Sequence, residues 1–360
     1  MTLRGDKGAY KMAEIILNSL SKTYPSGTVG IKGVNMKIES GELTVITGGQ
    51  ASGKSALLRS VCGLDDITSG EAYIDGSSIN GVVPKDRDIA VVMQNIPLYP
   101  HLTVFDNLAY SLNLRKLPKE EIEARVNEAA AIMGLESVLL KKPKNLSSLE
   151  RQRAFLARAI ARRTKIIMID EPFKGLDDGL KNEMRTEIVK LSKRLGVNFI
   201  VAMRSSSDAL VMADKIAYFE KGELVQYAAP AEIYDRPATV GVATYFGRPK
   251  INILDGVIEN GNFVGADIKI PVGERAKDYD GTGKKVYLAV RGEDVVAGGT
   301  FEAKVLAANK EYGTFAAEIT PDYSLTVFAD VLPKEGEIVK LSFKDSGVLL
   351  YDFETEKLIG

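Results

Sequence analysis

The sequence contains a glycine-rich run whose residue types and spacing fit the binding of phosphate groups. It follows the pattern G-x-x-x-x-G-K-[ST], and its residues are Gly48-Gly49-Gln50-Ala51-Ser52-Gly53-Lys54-Ser55, with Ala56 next in the chain. Small residues let the backbone curl so that successive N–H groups face phosphate oxygens, and the N-terminus of the following helix adds to the attraction. Lys54 would reach the β- and γ-phosphates, and the Ser55 hydroxyl would ligate Mg²⁺. This loop predicts a site for a nucleoside triphosphate.

Two consecutive acids end a short apolar run later in the chain. Residues 166–169 predict a buried strand, and Asp170 and Glu171 follow it directly. In such a site the first acid holds Mg²⁺, usually through water, and the second can polarise the attacking water. The alternative is a strand that merely ends in solvated acids. The phosphate loop earlier in the same chain favours the catalytic interpretation.

An α/β domain is predicted to carry both motifs. Apolar runs at 43–46, 89–93, 166–169 and 198–203 read as strands, with helical spacing between them, which favours a mostly parallel sheet. Residues 95–163 are expected to form a helical subdomain, with amphipathic stretches at 116–135 and 150–163. This domain would span 12–236, after a flexible leader at 1–11.

The pattern changes towards the C-terminus. Prolines flank a linker at 237–249, and short alternating strands separated by turns predict a small all-β sandwich or barrel over 250–360.

Composition excludes several classes of protein. The 360 residues include 47 basic and 48 acidic side chains, so bulk charge does not favour a nucleic-acid binder. One cysteine, Cys62, excludes an intramolecular disulfide and any zinc site with two cysteines. The only histidine is His101, so a mechanism that needs two is excluded. Apolar runs are too short for a membrane span, and we expect a soluble intracellular protein.

From residue 12 to the C-terminus the chain resembles the ATP-binding-cassette family, specifically the ATPase subunits of carbohydrate importers such as the maltose and glycerol-phosphate systems. The resemblance implies a P-loop ATPase domain with a helical subdomain, followed by an OB-like (TOBE) regulatory domain. In that tail the family-like runs are Gly292-Glu293-Asp294 and Tyr351-Asp352-Phe353-Glu354-Thr355.

The same resemblance assigns roles to residues outside the two acids and the loop. Tyr24 would stack on adenine. Gln94 would sense the attacking water and, with Ser55 and Asp170, the Mg²⁺ ion. Leu176-Asp177 resembles the loop that follows the second acid. A docking segment for the membrane subunit's coupling helix is identified as Leu98-Tyr99-Pro100-His101-Leu102-Thr103-Val104.

Three positions depart from the family's pattern. Ala51 replaces a usual glycine and would be strained at positive φ. The signature Leu-Ser-Gly-Gly-Gln, which contacts the ATP of a partner subunit, is here Leu146-Ser147-Ser148-Leu149-Glu150. Ser147 and Glu150 still fit a helix capping box, but Leu149 would obstruct the phosphate contact. The switch histidine aligns with Arg204, which either pairs with the γ-phosphate or points to solvent.

These features predict an ATP- and Mg²⁺-dependent ATPase of slow turnover, peripheral on the cytoplasmic face of the cell membrane. It would drive or gate import of a sugar, polyol or related solute by closure of an ATP-bound dimer. Expected partners are integral membrane permease subunits, a second ATPase subunit, identical or different, and indirectly an external solute-binding protein; no nucleic acid is expected. The alternatives are a non-hydrolysing regulatory subunit and a soluble ATP switch unrelated to transport.

Overall fold

The computed structural model describes residues 13–93 and 97–359. The expected leader at 1–11 and the expected Mg²⁺-sensing residue Gln94 therefore lie outside the described residues. The chain divides into two compact units, of which the first extends to Pro230 and the second begins at Ala231. No helix in the described ranges is long and apolar enough to cross a membrane.

The first unit alternates strands with helices, as the sequence predicts. In chain order its elements are β1 (Ile15–Thr23), β2 (Val29–Ile38), β3 (Leu43–Thr47), α1 (Lys54–Cys62), β4 (Ser69–Ile74), β5 (Ser77–Ser78), β6 (Ile89–Val92), α2 (Val104–Leu114), α3 (Lys119–Met133), α4 (Ser148–Ala161), β7 (Ile166–Asp170), α5 (Asp178–Leu195), β8 (Asn198–Ala202), α6 (Ser206–Met212), β9 (Lys215–Glu220) and β10 (Glu223–Ala228).

A six-stranded sheet forms the centre of this unit and confirms the predicted mostly parallel arrangement. Its order is β10-β9-β3-β8-β7-β6, and every pair is parallel except β9 with β10. Because β3, β8 and β7 are parallel neighbours, their carboxyl ends meet at one edge. The phosphate loop follows β3, Asp170 ends β7, and Arg204 comes just after β8, so the fold gathers these three features.

A separate antiparallel sheet, ordered β2-β1-β4-β5, belongs to the same unit. Helix α1 packs against strands of both sheets, and its buried Leu57, Leu58 and Val61 belong to one apolar core with residues of β1, β2, β7 and β8. That core fixes the helix that begins at the phosphate loop.

Helices α2, α3 and α4 pack on one another and correspond to the predicted helical subdomain. The two amphipathic stretches become α3, which is shorter than predicted at both ends, and α4, which has the predicted length but begins and ends two residues earlier. The predicted capping box is confirmed at the start of α4, where Ser147 is the N-cap and Glu150 closes the box.

The second unit is built from two antiparallel sheets. Its elements are α7 (Pro230–Asp235), α8 (Val240–Phe246), β11 (Asn252–Glu259), β12 (Asn262–Gly265), β13 (Ile268–Pro271), β14 (Lys285–Val290), β15 (Val295–Asn309), β16 (Thr314–Thr320), β17 (Tyr323–Phe328), β18 (Ile338–Phe343) and β19 (Val348–Asp352). The sheet orders are β13-β12-β11-β14-β19 and β17-β16-β15-β18. Residues of both sheets share one apolar core, as an all-β domain requires.

The segment 237–249, expected to be a linker, is bound to the second unit. The Tyr351 hydroxyl donates to the Pro237 carbonyl oxygen at 3.2 Å, and the Val240 amide donates to the Glu356 carbonyl oxygen at 3.1 Å. The division between units accordingly falls a few residues before the expected domain end at 236. Sequence composition locates the prolines but not these tertiary hydrogen bonds.

Candidate nucleotide-binding site

Two glycines of the phosphate loop occupy positions that no other residue fits. Gly48 has φ +148°, and a Cβ there would lie 2.1 Å from the Phe219 carbonyl oxygen. Gly53 has φ +107°, and a Cβ there would lie 2.7 Å from the Gly30 carbonyl oxygen. Backbone contact and positive φ together explain why the loop carries glycine at both ends.

Ala51 adopts φ +57°, which is the left-handed region. The expected strain at this alanine is therefore present, and a left-handed residue with a Cβ costs about 1–2 kcal/mol. Glu171 has φ +52° and is held in the same region. Two neighbouring parts of the site thus hold non-glycine residues in an unfavourable backbone conformation.

Lys54 begins α1 and is folded back over the loop. Its ammonium group donates to the carbonyl oxygens of Gly48 (2.9 Å) and Gly49 (2.6 Å) and to the Ser52 hydroxyl oxygen (3.0 Å). Burial lowers the pKa of Lys54, and the nearby Glu171 and Asp170 carboxylates oppose that shift. All three N–H donors of this cation are thus used by oxygens of the loop, and a bound phosphate would take the place of one or more of these acceptors.

Ser55 and Asp170 are brought together from α1 and β7. The Ser55 hydroxyl donates a hydrogen bond to the Asp170 carboxylate. Burial raises the pKa of Asp170, while the Ser55 hydrogen bond and the Lys54 charge act in the opposite direction. Mg²⁺ prefers oxygen ligands and is commonly held by one or two protein oxygens together with nucleotide phosphates. The hydroxyl and carboxylate therefore fit a Mg²⁺–nucleotide site.

Arg204 forms an ion pair with Glu171. The Arg204 Nε lies 3.1 Å from Glu171 Oε1, and the Glu171 amide donates to the Ala202 carbonyl oxygen at 2.9 Å. The sequence left open whether Arg204 faces phosphate or solvent. In the structure its guanidinium contacts the acid that is expected to polarise the attacking water.

These residues surround one pocket of about 530 Å³. Predicted residues that line it are Gln50, Ala51, Lys54, Ser55, Asp170, Glu171 and Arg204. Sequence reasoning missed Arg59, Leu64 and Met93, which line it as well. Helical spacing could have suggested Arg59, because it is four residues after Ser55 and therefore on the same face of α1.

Tyr24 lies beside the loop, although it is not among the residues that line the pocket. Gly30 makes room for its ring, since a Cβ at Gly30 would lie 2.9 Å from Tyr24 Cε2 and 3.0 Å from the Ala56 Cβ. The Tyr24 hydroxyl donates to Asp65 Oδ2 at 3.0 Å. The aromatic ring is thus next to the first turn of α1.

The signature-like segment lies at the start of α4 and does not line this pocket. The Glu150 amide donates to the Ser147 hydroxyl at 3.1 Å, and the Ser147 amide donates to Glu150 Oε2 at 2.7 Å. Ser148 is exposed and Leu149 is partly exposed. The helix start is thus intact, and Leu149 presents an isobutyl group at the position where the resemblance leads us to expect glycine.

Comparisons with known proteins identify the family of the chain. The family model described as ABC transporter matches residues 31–174. The sn-glycerol-3-phosphate import ATP-binding protein of Roseobacter denitrificans is 42% identical over 72% of both chains. The oligosaccharides import ATP-binding protein of Bacillus subtilis is 41% identical over 79% of both. The chain belongs to the ATP-binding-cassette transporter family. It is a P-loop ATPase subunit of that family.

A solved structure supports the same assignment. A dimeric ATP-binding cassette in a post-hydrolysis state, bound to ADP and Pi, matches with a TM-score of 0.54 and 29% identity. The match covers 60% of this chain and 98% of that one. The ATP-binding-cassette fold and the use of ATP are therefore established for this chain.

Proposed function

We propose that this ATPase drives or gates the import of a sugar, polyol or related small solute by closing an ATP-bound dimer. The pocket that joins the phosphate loop, Asp170 and Glu171 is the observation that carries the proposal. Two of the chain's curated relatives are named for import of glycerol 3-phosphate and of oligosaccharides, which favours import over a soluble switch.

In this proposal the nucleotide is held along the loop from Gly48 to Ala56. Backbone amides and Lys54 bind the phosphates, Ser55 and Asp170 hold Mg²⁺ with Gln94 as a further ligand, and Tyr24 stacks on adenine. Bound Mg²⁺ would neutralise charge on the phosphate oxygens. Glu171 accepts a hydrogen bond from the attacking water and orients it.

Hydrolysis is expected to be slow for two local reasons. Arg204 Nε pairs with Glu171 Oε1, so one oxygen of this carboxylate is engaged by a cation and is a weaker acceptor for the attacking water. Leu149 would prevent the close approach of the backbone to the partner's ATP that a glycine would allow. Loss of one hydrogen-bond donor to a transition state typically slows a reaction by about 10²–10³. Arg204 is permanently charged and cannot exchange a proton as the family's histidine does.

We also propose a docking groove for permease subunits in the first unit. A groove of about 460 Å³ is lined by Tyr99 of the predicted docking segment and by Tyr110 and Leu114 of α2. Its described lining residues include four cations, Lys85, Arg115, Arg158 and Arg162, and no acid. An apolar permease segment with an acidic side chain would complement this groove. Binding of such a segment would hold the chain at the cytoplasmic face of the membrane as a peripheral subunit.

The docking segment is held firmly against α2. The Oδ1 atom of the buried Asn107 accepts a hydrogen bond from the Tyr99 amide at 2.7 Å. Its Nδ2 atom donates to the carbonyl oxygens of Tyr99 and Thr103. Tyr99 packs against Tyr110 with a centroid separation of 4.4 Å, and His101 is exposed beside it. In this proposal the only histidine in the chain contacts the permease subunit.

Co-purification from membranes tests import and docking together. The chain should bring down integral membrane subunits, and combined Tyr110→Ala and Leu114→Ala should reduce their recovery while ATP binding is retained. Leu140→Ala is the matched control, since Leu140 is 86% exposed but lies outside the groove. Recovery of ribosomes or DNA in place of membrane subunits would reject the proposal.

A second, different ATPase subunit is the final part of the proposal. In a sandwich dimer each site takes its loop, acids and switch residue from one chain and its signature from the other. A homodimer would combine Arg204 and Leu149 in both sites. A heterodimer would separate them, so each site would carry one change and the two rate penalties would not multiply in one site.

A further inference from the structure

Asp65 connects the nucleotide pocket to Tyr24. Its carboxylate accepts three hydrogen bonds, from Arg59 Nε (2.9 Å), Arg59 Nη2 (2.8 Å) and the Tyr24 hydroxyl (3.0 Å). The Asp65 side chain is 11% exposed, and Arg59 lines the pocket. A bidentate pair of this kind fixes the plane of both groups, so the acceptor for Tyr24 is held in one orientation.

The end of α1 fixes Asp65 relative to Arg59. Gly63 ends the helix in the left-handed conformation, and the amides of Leu64 (2.9 Å) and Asp65 (3.1 Å) both donate to the Arg59 carbonyl oxygen. Arg59 and Asp65 are therefore joined through backbone and side chain. The acceptor for Tyr24 consequently moves with the helix that begins at the phosphate loop.

The other edges of the Tyr24 ring are also held. The Lys22 ammonium lies 5.3 Å from the ring centroid and donates to the Asp66 carbonyl oxygen at 2.7 Å. Gly30 lies against the ring, since a Cβ there would come within 2.9 Å of Tyr24 Cε2. The hydroxyl contact with Asp65 adds a directional restraint to a ring that lies close to Lys22 and Gly30.

We propose that Asp65, clamped by Arg59, is a positioning residue that orients Tyr24 for the adenine base. The inference rests on the proposed contact between Tyr24 and adenine. A ring held in its binding orientation loses less freedom when the base stacks on it. Removal of the hydroxyl contact should therefore weaken binding of the base, while the phosphate loop keeps its own affinity for phosphates.

Calorimetry on the full chain tests this with two probes, Mg²⁺–ATP and Mg²⁺–tripolyphosphate, which has no base. Tyr24→Phe keeps the ring and removes the hydroxyl. It should weaken ATP binding about three- to tenfold, where a tenfold change corresponds to 1.4 kcal/mol of binding free energy. Asp65→Ala should give a similar loss. Tripolyphosphate should bind Tyr24→Phe, in which the pair of Arg59 with Asp65 is intact, as it binds the unaltered chain. Tyr73→Phe is the matched control, because it removes a hydroxyl–carboxylate contact with Glu71 outside the pocket.

The outcomes separate this inference from the proposal on which it rests. Unchanged ATP affinity in Tyr24→Phe, with a loss in Tyr24→Ala, would overturn the positioning role and leave the stacking contact intact. Unchanged affinity in Tyr24→Ala would overturn the stacking contact itself. An equal loss for tripolyphosphate in Tyr24→Phe would also overturn the inference, because the effect would then act through the phosphate loop.

Discussion

Arg204 Nε lies 3.1 Å from Glu171 Oε1, so a permanent cation is paired with the acid that should polarise the attacking water. The Arg204 side chain is 51% exposed, and ion pairs of this exposure contribute at most about 1 kcal/mol. A γ-phosphate could therefore compete for the guanidinium when ATP is present. The pair restrains Glu171 without contributing much to the stability of the fold.

Lys54→Ala should weaken ATP binding by at least about tenfold. The variant removes the buried ammonium that the loop carbonyls surround, and charge-assisted hydrogen bonds are worth about 1.5–3 kcal/mol. Calorimetry with Mg²⁺–ATP measures the change. Lys340→Ala, at an exposed lysine of the second unit, should bind ATP normally. Unchanged affinity in Lys54→Ala would disprove the assignment of the loop.

Ala51→Gly should stabilise the first unit by about 0.5–1 kcal/mol. Relief of left-handed strain gains about 1–2 kcal/mol, and the greater freedom of glycine in the unfolded chain offsets part of it. Urea unfolding measures the free energy. Ala124→Gly makes the same substitution at an exposed interior position of α3 and should destabilise by about 1 kcal/mol. Destabilisation by both variants would show that residue 51 carries no strain.

Asp65→Asn should destabilise the chain by about 1 kcal/mol at neutral pH. The Arg59 guanidinium holds the pKa of Asp65 below its usual range. Because the folded pKa is the lower one, the stabilisation is full above the unfolded pKa of about 3.9 and is lost as pH falls through the folded pKa. Urea unfolding at pH 7 and pH 3.5 should show a smaller difference between variant and unaltered chain at pH 3.5. A difference that grows at acid pH would contradict the ion pair.

The assembled transporter should contain one copy of this chain and one copy of a different ATPase. In that pairing Arg204, at the switch position, and Leu149, in the signature segment, belong to two different ATP sites. Co-expression with the neighbouring transport genes, followed by mass spectrometry of the intact complex, gives the composition. Two copies of this chain with no other ATPase would refute the heterodimer.

Sequence motifs predicted those parts of the site that lie close together in the chain. The loop from Gly48 to Ser55 and the pair Asp170-Glu171 are local patterns, and both line the observed pocket. The contact between Arg204 and Glu171 is different in kind. It depends on β7 and β8 being parallel neighbours with Asp170 opposite Ala202, and neither strand's own pattern specifies that register.

Two further features could not be predicted from the sequence, because they too depend on tertiary contacts that no local pattern specifies. An apolar run can predict a strand but does not identify the strand with which it pairs, so the separate sheet of β1, β2, β4 and β5 was not foreseen. The contact of Asp65 with Tyr24 depends on how Gly63 turns the chain at the end of α1. In each case the deciding interaction joins residues that are distant in the chain.

We expect the site to bind ATP well but to hydrolyse it slowly, because of Arg204 and Leu149. Measurement of the steady-state ATP hydrolysis rate of the purified chain tests it most directly. The unaltered chain should turn over slowly, and Arg204→His combined with Ser148→Gly and Leu149→Gly should raise the rate by about 10²-fold. Rapid turnover by the unaltered chain, or no increase in a triple variant that still binds ATP, would contradict the account.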